Sequence, residues 1–187
     1  MSRKHGITAN TYKKFVVDSG AAYLNYGESD ESLFGGTRGG STFAIETEYR
    51  DMPVDGAKGP VKGGRRITSV NAMLTINFLE LASTLIERVL PGASVADYGS
   101  PKTHDEVTRA LAIALTDYAT NVALVGEVTG GGANAAEFIL DNALVDGNFE
   151  LGLVDADEPV LSAQFKAHFD PSSMDAEPWT IRWPEIV

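Results

Sequence analysis

Ile67-Thr68-Ser69-Val70-Asn71-Ala72-Met73-Leu74-Thr75-Ile76-Asn77-Phe78, running on through Leu79-Glu80-Leu81-Ala82-Ser83-Thr84-Leu85-Ile86-Glu87-Arg88-Val89-Leu90, is the stretch whose reading decides the fold. In its first half, Thr68, Val70, Ala72, Leu74, Ile76 and Phe78 share one face, and the intervening residues share the other. The first set is mostly apolar, which predicts a long strand with one face buried. At Phe78 the period changes. Phe78, Leu81, Ala82, Leu85, Ile86, Val89 and Leu90 recur at steps of three and four, with Glu80, Ser83, Glu87 and Arg88 outside. That pattern predicts one amphipathic helix over about 79–90, stopped by Pro91-Gly92.

Upstream, Phe43, Ile45, Thr47 and Tyr49 alternate with polar neighbours across Thr42 to Arg50, which predicts a second half-buried strand. Between the two strands, residues 51–66 carry Pro53, Gly56, Gly59, Pro60, Gly63 and Gly64 and read as a long loop. Loops of this length inside compact domains are uncommon and are usually functional or disordered. This one holds Lys58, Lys62, Arg65 and Arg66, the main cationic feature of the chain. Nearer the start, Phe15-Val16-Val17 and Ala21 to Tyr26 are β-prone runs split by Asp18-Ser19-Gly20, which predicts a first hairpin.

Downstream, residues 103–119 fit two patterns. Thr103 and Glu106 make a capping box before Val107, Leu111, Leu115 and Tyr118 on one helical face, yet Leu111, Ile113 and Leu115 also alternate as in a strand. Asn121 to Val128 reads as a strand. Glu137 to Val145 and Asn148 to Val154 flank Asp146-Gly147, a dipeptide favoured in tight hairpins. Leu161, Ala163, Phe165, Ala167 and Phe169 oppose Val160, Ser162, Gln164, Lys166 and His168 in a further strand. Strands in series with one helix imply a mainly β (α+β) fold, a β-sandwich or barrel of antiparallel sheets carrying the helix on its flank. With no internal repeat and no dividing linker, residues 1–187 read as one domain with an N-terminal arm over about 1–12.

The formal net charge is −11, spread unevenly. Residues 1–66 hold ten Lys/Arg against eight Asp/Glu, and residues 67–187 hold five against eighteen. An acidic surface repels phosphate, which disfavours stable nucleic-acid binding. The asymmetry serves solubility, or lets a basic segment of one copy meet an acidic face of another. There is no cysteine, which excludes disulfides and thiolate chemistry. The first residues carry no apolar stretch behind their positive charges, and no apolar run reaches membrane-spanning length, so the expectation is a cytosolic product without a signal peptide or membrane contact.

A search for catalytic patterns finds none. His5, His104 and His168 are scattered, and His104-Asp105-Glu106 is the nearest approach to a metal cluster. Neighbouring residues point in different directions, so one ion rarely takes all three. Asp155-Ala156-Asp157-Glu158 lacks the spacing of a calcium loop. The glycine-rich runs at 35–40 and 56–64 match no phosphate-binding loop. The expectation is a non-enzyme with no cofactor and no metal.

Phe34-Gly35-Gly36-Thr37-Arg38-Gly39-Gly40, the acidic strand Glu46-Thr47-Glu48-Tyr49-Arg50-Asp51, and Val54-Asp55-Gly56-Ala57-Lys58-Gly59-Pro60-Val61-Lys62-Gly63-Gly64 together resemble a pattern of siphophage major tail (tail tube) proteins. Asp117-Tyr118 with Asn121 to Gly126, Asp141 to Gly147, Phe165 to Asp170 and Glu177 to Ile181 continue the resemblance, which covers roughly residues 30–187. It implies a self-assembling virion protein, made in the bacterial host cytoplasm, that forms stacked hexameric rings. Their inner sheets would join into a hollow tube through which DNA passes without stable binding. Implied partners are further copies of the chain, a tape measure protein, and tail-tip and tail-terminator proteins. On the same basis Arg38, Lys58, Lys62, Arg65 and Arg66 are candidates for contacts between rings. Trp179 and Trp183, with Pro178 and Pro184, either clamp a neighbouring subunit or close the subunit's own core.

Two other readings stay open. One is an inner tube of a contractile tail or another injection-machine component. The other is a β-sandwich binding module, for instance for carbohydrate, which would want aromatics along an exposed strand.

Overall fold

The computed structural model describes residues 6–17 and 20–186. It contains ten strands and one α-helix: β1 (Ala21–Leu24), β2 (Ser32–Leu33), β3 (Thr42–Asp51), β4 (Arg65–Phe78), α1 (Ser83–Val89), β5 (Ala93–Tyr98), β6 (His104–Arg109), β7 (Ala119–Glu127), β8 (Ala135–Val145), β9 (Leu161–Lys166) and β10 (Trp179–Arg182). Every pairing is antiparallel. The main ladder runs β2-β1-β7-β8-β9-β4-β3, with β10 beside β8, and β5-β6 form a separate hairpin. The mainly β class read from the sequence is therefore observed.

The ladder folds into two sheets because β8 belongs to both. Along one edge β8 pairs with β7 as far as Ala143, while on the other edge Glu137–Leu140 take β10 and Leu144-Val145 take β9. Between the β10 and β9 pairings stands Asn142, at a φ of 49°. Bends of this kind are how one strand passes from sheet to sheet. The two inner faces then enclose the core: Ala22, Leu24, Val122 and Leu140 from one side, and Ala72, Leu74, Ile76, Phe78, Leu161, Ala163 and Phe165 from the other. Phe34 lies 5.3 Å from the Phe78 ring and 5.6 Å from that of Phe165. Burying a large apolar side chain of this kind stabilises the fold by about 1.5–3 kcal/mol.

The alternating face of β9, and that of β4 from Ala72 to Phe78, is buried as the pattern predicts, while Thr68 and Val70 in the first half of β4 are not. The helix is shorter than the periodicity suggests. Leu79 and Glu80 donate their amides to the Gly36 carbonyl at 2.9 and 3.2 Å, and the Glu80 carboxylate accepts from the Gly36 amide at 3.1 Å. These bonds hold 79–80 against the Gly35-Gly36 turn, so α1 begins at Ser83 and buries Leu85 and Val89. The turn requires glycine: Gly35 has a φ of +99°, and a Cβ there would lie 2.6 Å from the Glu80 carboxylate.

Three further expectations are corrected and one open reading is decided. The Phe15–Tyr26 hairpin does not form: β1 pairs with β7 and β2, and Val16 bridges Val128. Its turn residues Asp18 and Ser19 lie outside the described residues, as do residues 1–5 of the N-terminal arm, including His5. Asn148 to Val154 is not a strand. The β8 edge that it would need is taken by β9, and the Asp146 amide bonds the Gln164 carbonyl at 2.8 Å. Residues 103–119, open between helix and strand in the sequence, form a strand only over 104–109, where Ala93–Tyr98 supplies a complete antiparallel partner; the alternating Leu111, Ile113 and Leu115 lie beyond it. The loop assigned to 51–66 is shorter, since Asp51 pairs with Arg65 inside the β3-β4 ladder.

Candidate assembly interface

β3 and β4 are long enough to outrun the body of the protein. Opposite Ala72, β3 carries Ile45, and both pack on the core; beyond them the pair runs to Asp51 and Arg65 with its side chains increasingly open to solvent. Seven residues of β4, Arg65 to Asn71, span about 23 Å at ~3.3 Å per residue. The result is a two-stranded arm tipped by the turn 52–64.

Lys58 and Lys62 sit on that tip, exposed to solvent. Arg65 and Arg66 are not in the loop but open β4. Arg65 donates to both carboxylate oxygens of Asp51, at 2.9 and 3.0 Å, and its guanidinium lies 5.3 Å from the centre of the Tyr49 ring. The Asp51 carboxyl is held below the usual carboxylate range mainly by the hydrogen bond from Arg65. Such an exposed pair contributes little to stability but fixes the direction of both side chains at the base of the arm. Among the described residues, Lys58, Lys62 and Arg66 have no acidic partner. The arm also exposes Tyr49, which the alternation groups with Phe43 and Ile45 on the buried face but which lies beyond the core, together with Met52, Val54, Val61 and Ile67.

Arg38 is elsewhere. Its backbone amide bonds the Asn77 carbonyl near the far end of β4, and its guanidinium donates to Asp157 at 2.7 Å and Glu158 at 3.1 Å. Asp157 is correspondingly pushed below its ordinary range, chiefly by that bond. The five basic candidates thus separate into an arm group and one residue at the opposite end.

Trp179 and Trp183 lie on and just after β10. Trp179 is half-buried against the core, with its indole N–H donating to Glu177 at 2.6 Å. Trp183 meets the edge of the Phe138 ring at 6.5 Å, and Phe138 in turn lies 5.4 Å from Phe43 of β3. Both tryptophans therefore touch their own subunit, and Trp183 keeps 50% of its surface open. Beside them, Arg182 donates to Glu137 at 2.9 Å and the Tyr26 hydroxyl to the same carboxylate at 3.1 Å, which ties β10 to the body.

Two features of this region were not legible from side-chain patterns. The first is that β3 ends the ladder, so one edge of a ten-residue strand is unpaired among the described residues. The second is the outer face of the β9-β4-β3 sheet. The register places Thr42, Ala44, Glu46 and Glu48 beside Ser69, Asn71, Met73 and Thr75, and these beside Gln164 and Lys166. It mixes hydroxyls and amides with Ala44 and Met73, and carries two carboxylates on β3 and the ammonium of Lys166, which lies 3.7 Å from Asp146.

Among the described residues, no three of His, Asp and Glu gather where they could hold a metal ion. His104 and Glu106 alternate with Asp105 along β6, and Asp105 is engaged by Ser83 at 2.6 Å and Lys102 at 2.6 Å. No described helix is long and apolar enough to cross a membrane.

No protein-family model matches the sequence, and no curated protein does. Among solved structures, the chain is similar to one from the tail of an empty GTA particle computed by helical refinement with C6 symmetry. The two share 9% identity at a TM-score of 0.46, over 81% of this chain and 92% of that one.

Proposed function

We propose that this protein is the repeating subunit of a phage tail tube, joined sideways into rings and stacked into a hollow conduit for DNA. The observation that carries the proposal is the unpaired edge of β3. A long free edge is a template for pairing with another chain, and in a monomeric protein it is an aggregation hazard. In a closed ring every such edge finds a partner, so the hazard becomes the joint. The outer face of the same sheet supports the reading. A conduit for DNA must not hold phosphate, and the face offers hydroxyls, amides and the carboxylates of Glu46 and Glu48, with its one cation, Lys166, facing Asp146. The resemblance of residues 30–187 to tail tube proteins supports rings of six, a virion location, and tape measure, tail-tip and terminator partners. Within this proposal Arg38, Lys58, Lys62, Arg65, Arg66, Trp179 and Trp183 remain candidate contacts, and the arm residues are the best placed to reach a neighbour.

A binding module is less well supported. Tyr23 and Tyr26, the aromatics nearest to a platform, lie against each other at 5.4 Å, and Tyr26 is tied to Glu137. The test is negative-stain electron microscopy with sedimentation velocity over a concentration series. Rings or hollow tubes carry the proposal. A monomer at every concentration that also fails to add onto isolated tail tips overturns it.

A further inference from the structure

We infer that Asp55-Gly56, in the turn that tips the β3-β4 arm, is a site of spontaneous backbone modification, converting through a cyclic imide to isoaspartate. The fold spares the chain's other Asp-Gly pair, Asp146-Gly147. Neither statement depends on the tail-tube reading. Two aspartates of the chain precede glycine, and no asparagine does. In such a pair the glycine nitrogen attacks the protonated aspartate carboxyl at Cγ. A Cγ–N bond forms, the nitrogen gives up its proton, and the carboxyl hydroxyl leaves with that proton as water. Water then adds back at either carbonyl of the five-membered imide. Breaking the Cγ–N bond restores aspartate. Breaking the bond from nitrogen to the original backbone carbonyl leaves the chain running through Cβ and Cγ, which is isoaspartate. One water leaves and one returns, so no oxidant, reductant or enzyme is needed. A Cβ on the attacking residue would crowd the approach, and glycine has none.

Ring closure needs a free amide, a free carboxyl and a backbone that can rotate to bring them together. Asp55-Gly56 offers all three. Val54 to Ala57 form a turn closed by the Ala57 amide on the Val54 carbonyl at 3.1 Å, with Gly56 third in the turn at a φ of +86°. The Gly56 amide has no acceptor among the described residues. The Asp55 carboxylate has neither a hydrogen bond nor a cationic partner among them. Residues 51–60 are all exposed, and a Cβ built on Gly56 would meet nothing within 4 Å. One backbone bond in solvent therefore opposes the rotation, and the space around the ring is empty.

Asp146-Gly147 has the same chemistry in a different setting. Val145 pairs with Phe165 at the end of β8, and the Asp146 amide continues that ladder by donating to the Gln164 carbonyl at 2.8 Å. Its carboxylate is drawn toward Lys166, whose Nζ lies 3.7 Å away. Rotation toward the imide has to break the strand bond and pull the carboxylate off the ammonium. At Asp55 it costs a single turn bond. The product also differs from its parent in shape. Isoaspartate adds one backbone atom between the Val54 carbonyl and the Ala57 amide, so the turn no longer closes in its present form.

The test ages the purified protein at physiological temperature, in native buffer and in guanidinium chloride. It is kept dilute, below any concentration at which microscopy shows association, so that no neighbour covers the arm. Peptide mapping with electron-transfer fragmentation distinguishes the two linkages, and trypsin releases Asp55 in the peptide 51–58. The expected result in buffer is a several-fold excess of isoaspartate at Asp55 over Asp146, shrinking toward parity in denaturant, where the fold no longer separates the two pairs. Asp55→Glu, whose longer side chain would have to close a six-membered ring, should abolish the product there and leave Asp146 unchanged. No isoaspartate at Asp55 in buffer, an equal or greater amount at Asp146, or an excess at Asp55 that is as large in denaturant overturns the inference.

Discussion

Asn142 and His168 clasp each other at the bend of β8. The Asn142 amide donates to the His168 carbonyl at 3.1 Å, and His168 Nδ1 lies 3.2 Å from the Asn142 carbonyl. A carbonyl can only accept, so the ring proton sits on Nδ1. Asn142 holds a left-handed backbone that β-branched residues avoid. Asn142→Gly keeps that backbone and loses the side-chain bond, a predicted cost of about 1 kcal/mol. Asn142→Val loses both, with strain adding about 1–3 kcal/mol. Urea unfolding of the two variants checks the order. Equal losses would mean that the backbone conformation does not set the bend.

Asn25 and Asn121 form a second reciprocal pair. Asn121 accepts the Tyr26 amide at 2.7 Å and donates to the Tyr26 carbonyl at 3.1 Å, while Asn25 accepts the Thr120 amide at 3.1 Å. These are the two buried polar residues that join β1 to β7. Asn121→Ala leaves two backbone groups of Tyr26 unpaired and is predicted to cost about 2–3 kcal/mol. Native-state hydrogen exchange should show the Tyr26 amide released. A protected Tyr26 amide in the variant would refute the assignment.

The Asp141 carboxyl is pushed above its ordinary range by burial, with Arg182 opposing the shift. Between the ordinary value and the raised one, the folded chain holds a proton that the unfolded chain has released. Stability therefore falls as pH rises through that window. Asp141→Asn should raise stability at neutral pH, and the gain should vanish as pH drops toward the ordinary Asp value near about 4. Asp51, Asp105 and Asp157 are shifted the other way by Arg65, Lys102 and Arg38, so what they contribute is lost only on acidification through their depressed values. Denaturation midpoints across pH for wild type and Asp141→Asn decide the matter, and a gain that persists at low pH would contradict it.

If the outer face of the β9-β4-β3 sheet lines the conduit, Glu46→Lys with Glu48→Lys changes its behaviour toward DNA without touching the core. Wild-type tubes are predicted not to retain short duplex DNA, and the variant tubes to retain it in a manner reversed by added salt. Co-sedimentation over a salt series measures this. Variant tubes that stay indifferent to DNA would show that the face does not meet DNA in the tube and overturn its place in the conduit wall.

Strands whose two faces differ were legible before any coordinates. The second half of β4, β9 and the first half of β3 follow their alternation because each has one wall in the core. Partners were less legible. Asp146-Gly147 looks like a hairpin turn, but the strand that completes β8 there comes from 161–166, and no local signal distinguishes a near partner from a distant one. α1 lost its first turn to hydrogen bonds from Gly36, a residue more than forty positions away. The basic candidates were grouped by the resemblance to tail tube proteins, and the structure divides them because Arg38 belongs to the α1 end of β4. Trp179 illustrates the converse: one side chain can close a core and border a free edge, and only the ladder shows both.

Between Arg65 and Phe78, β4 contains neither glycine nor proline, and it is flanked by β3 from Arg65 to Thr75 and by β9 over Met73 to Phe78. A pull on the arm along its axis therefore loads the β4-β9 ladder in shear. Six registered positions share the tension at once, where a sideways tug would open them one by one. The load passes from β9 into β8 and so into the second sheet, without crossing a flexible link. Each subunit is built as a tension member, stiff lengthwise, and compliant only at the glycine-bearing turn where the arm ends.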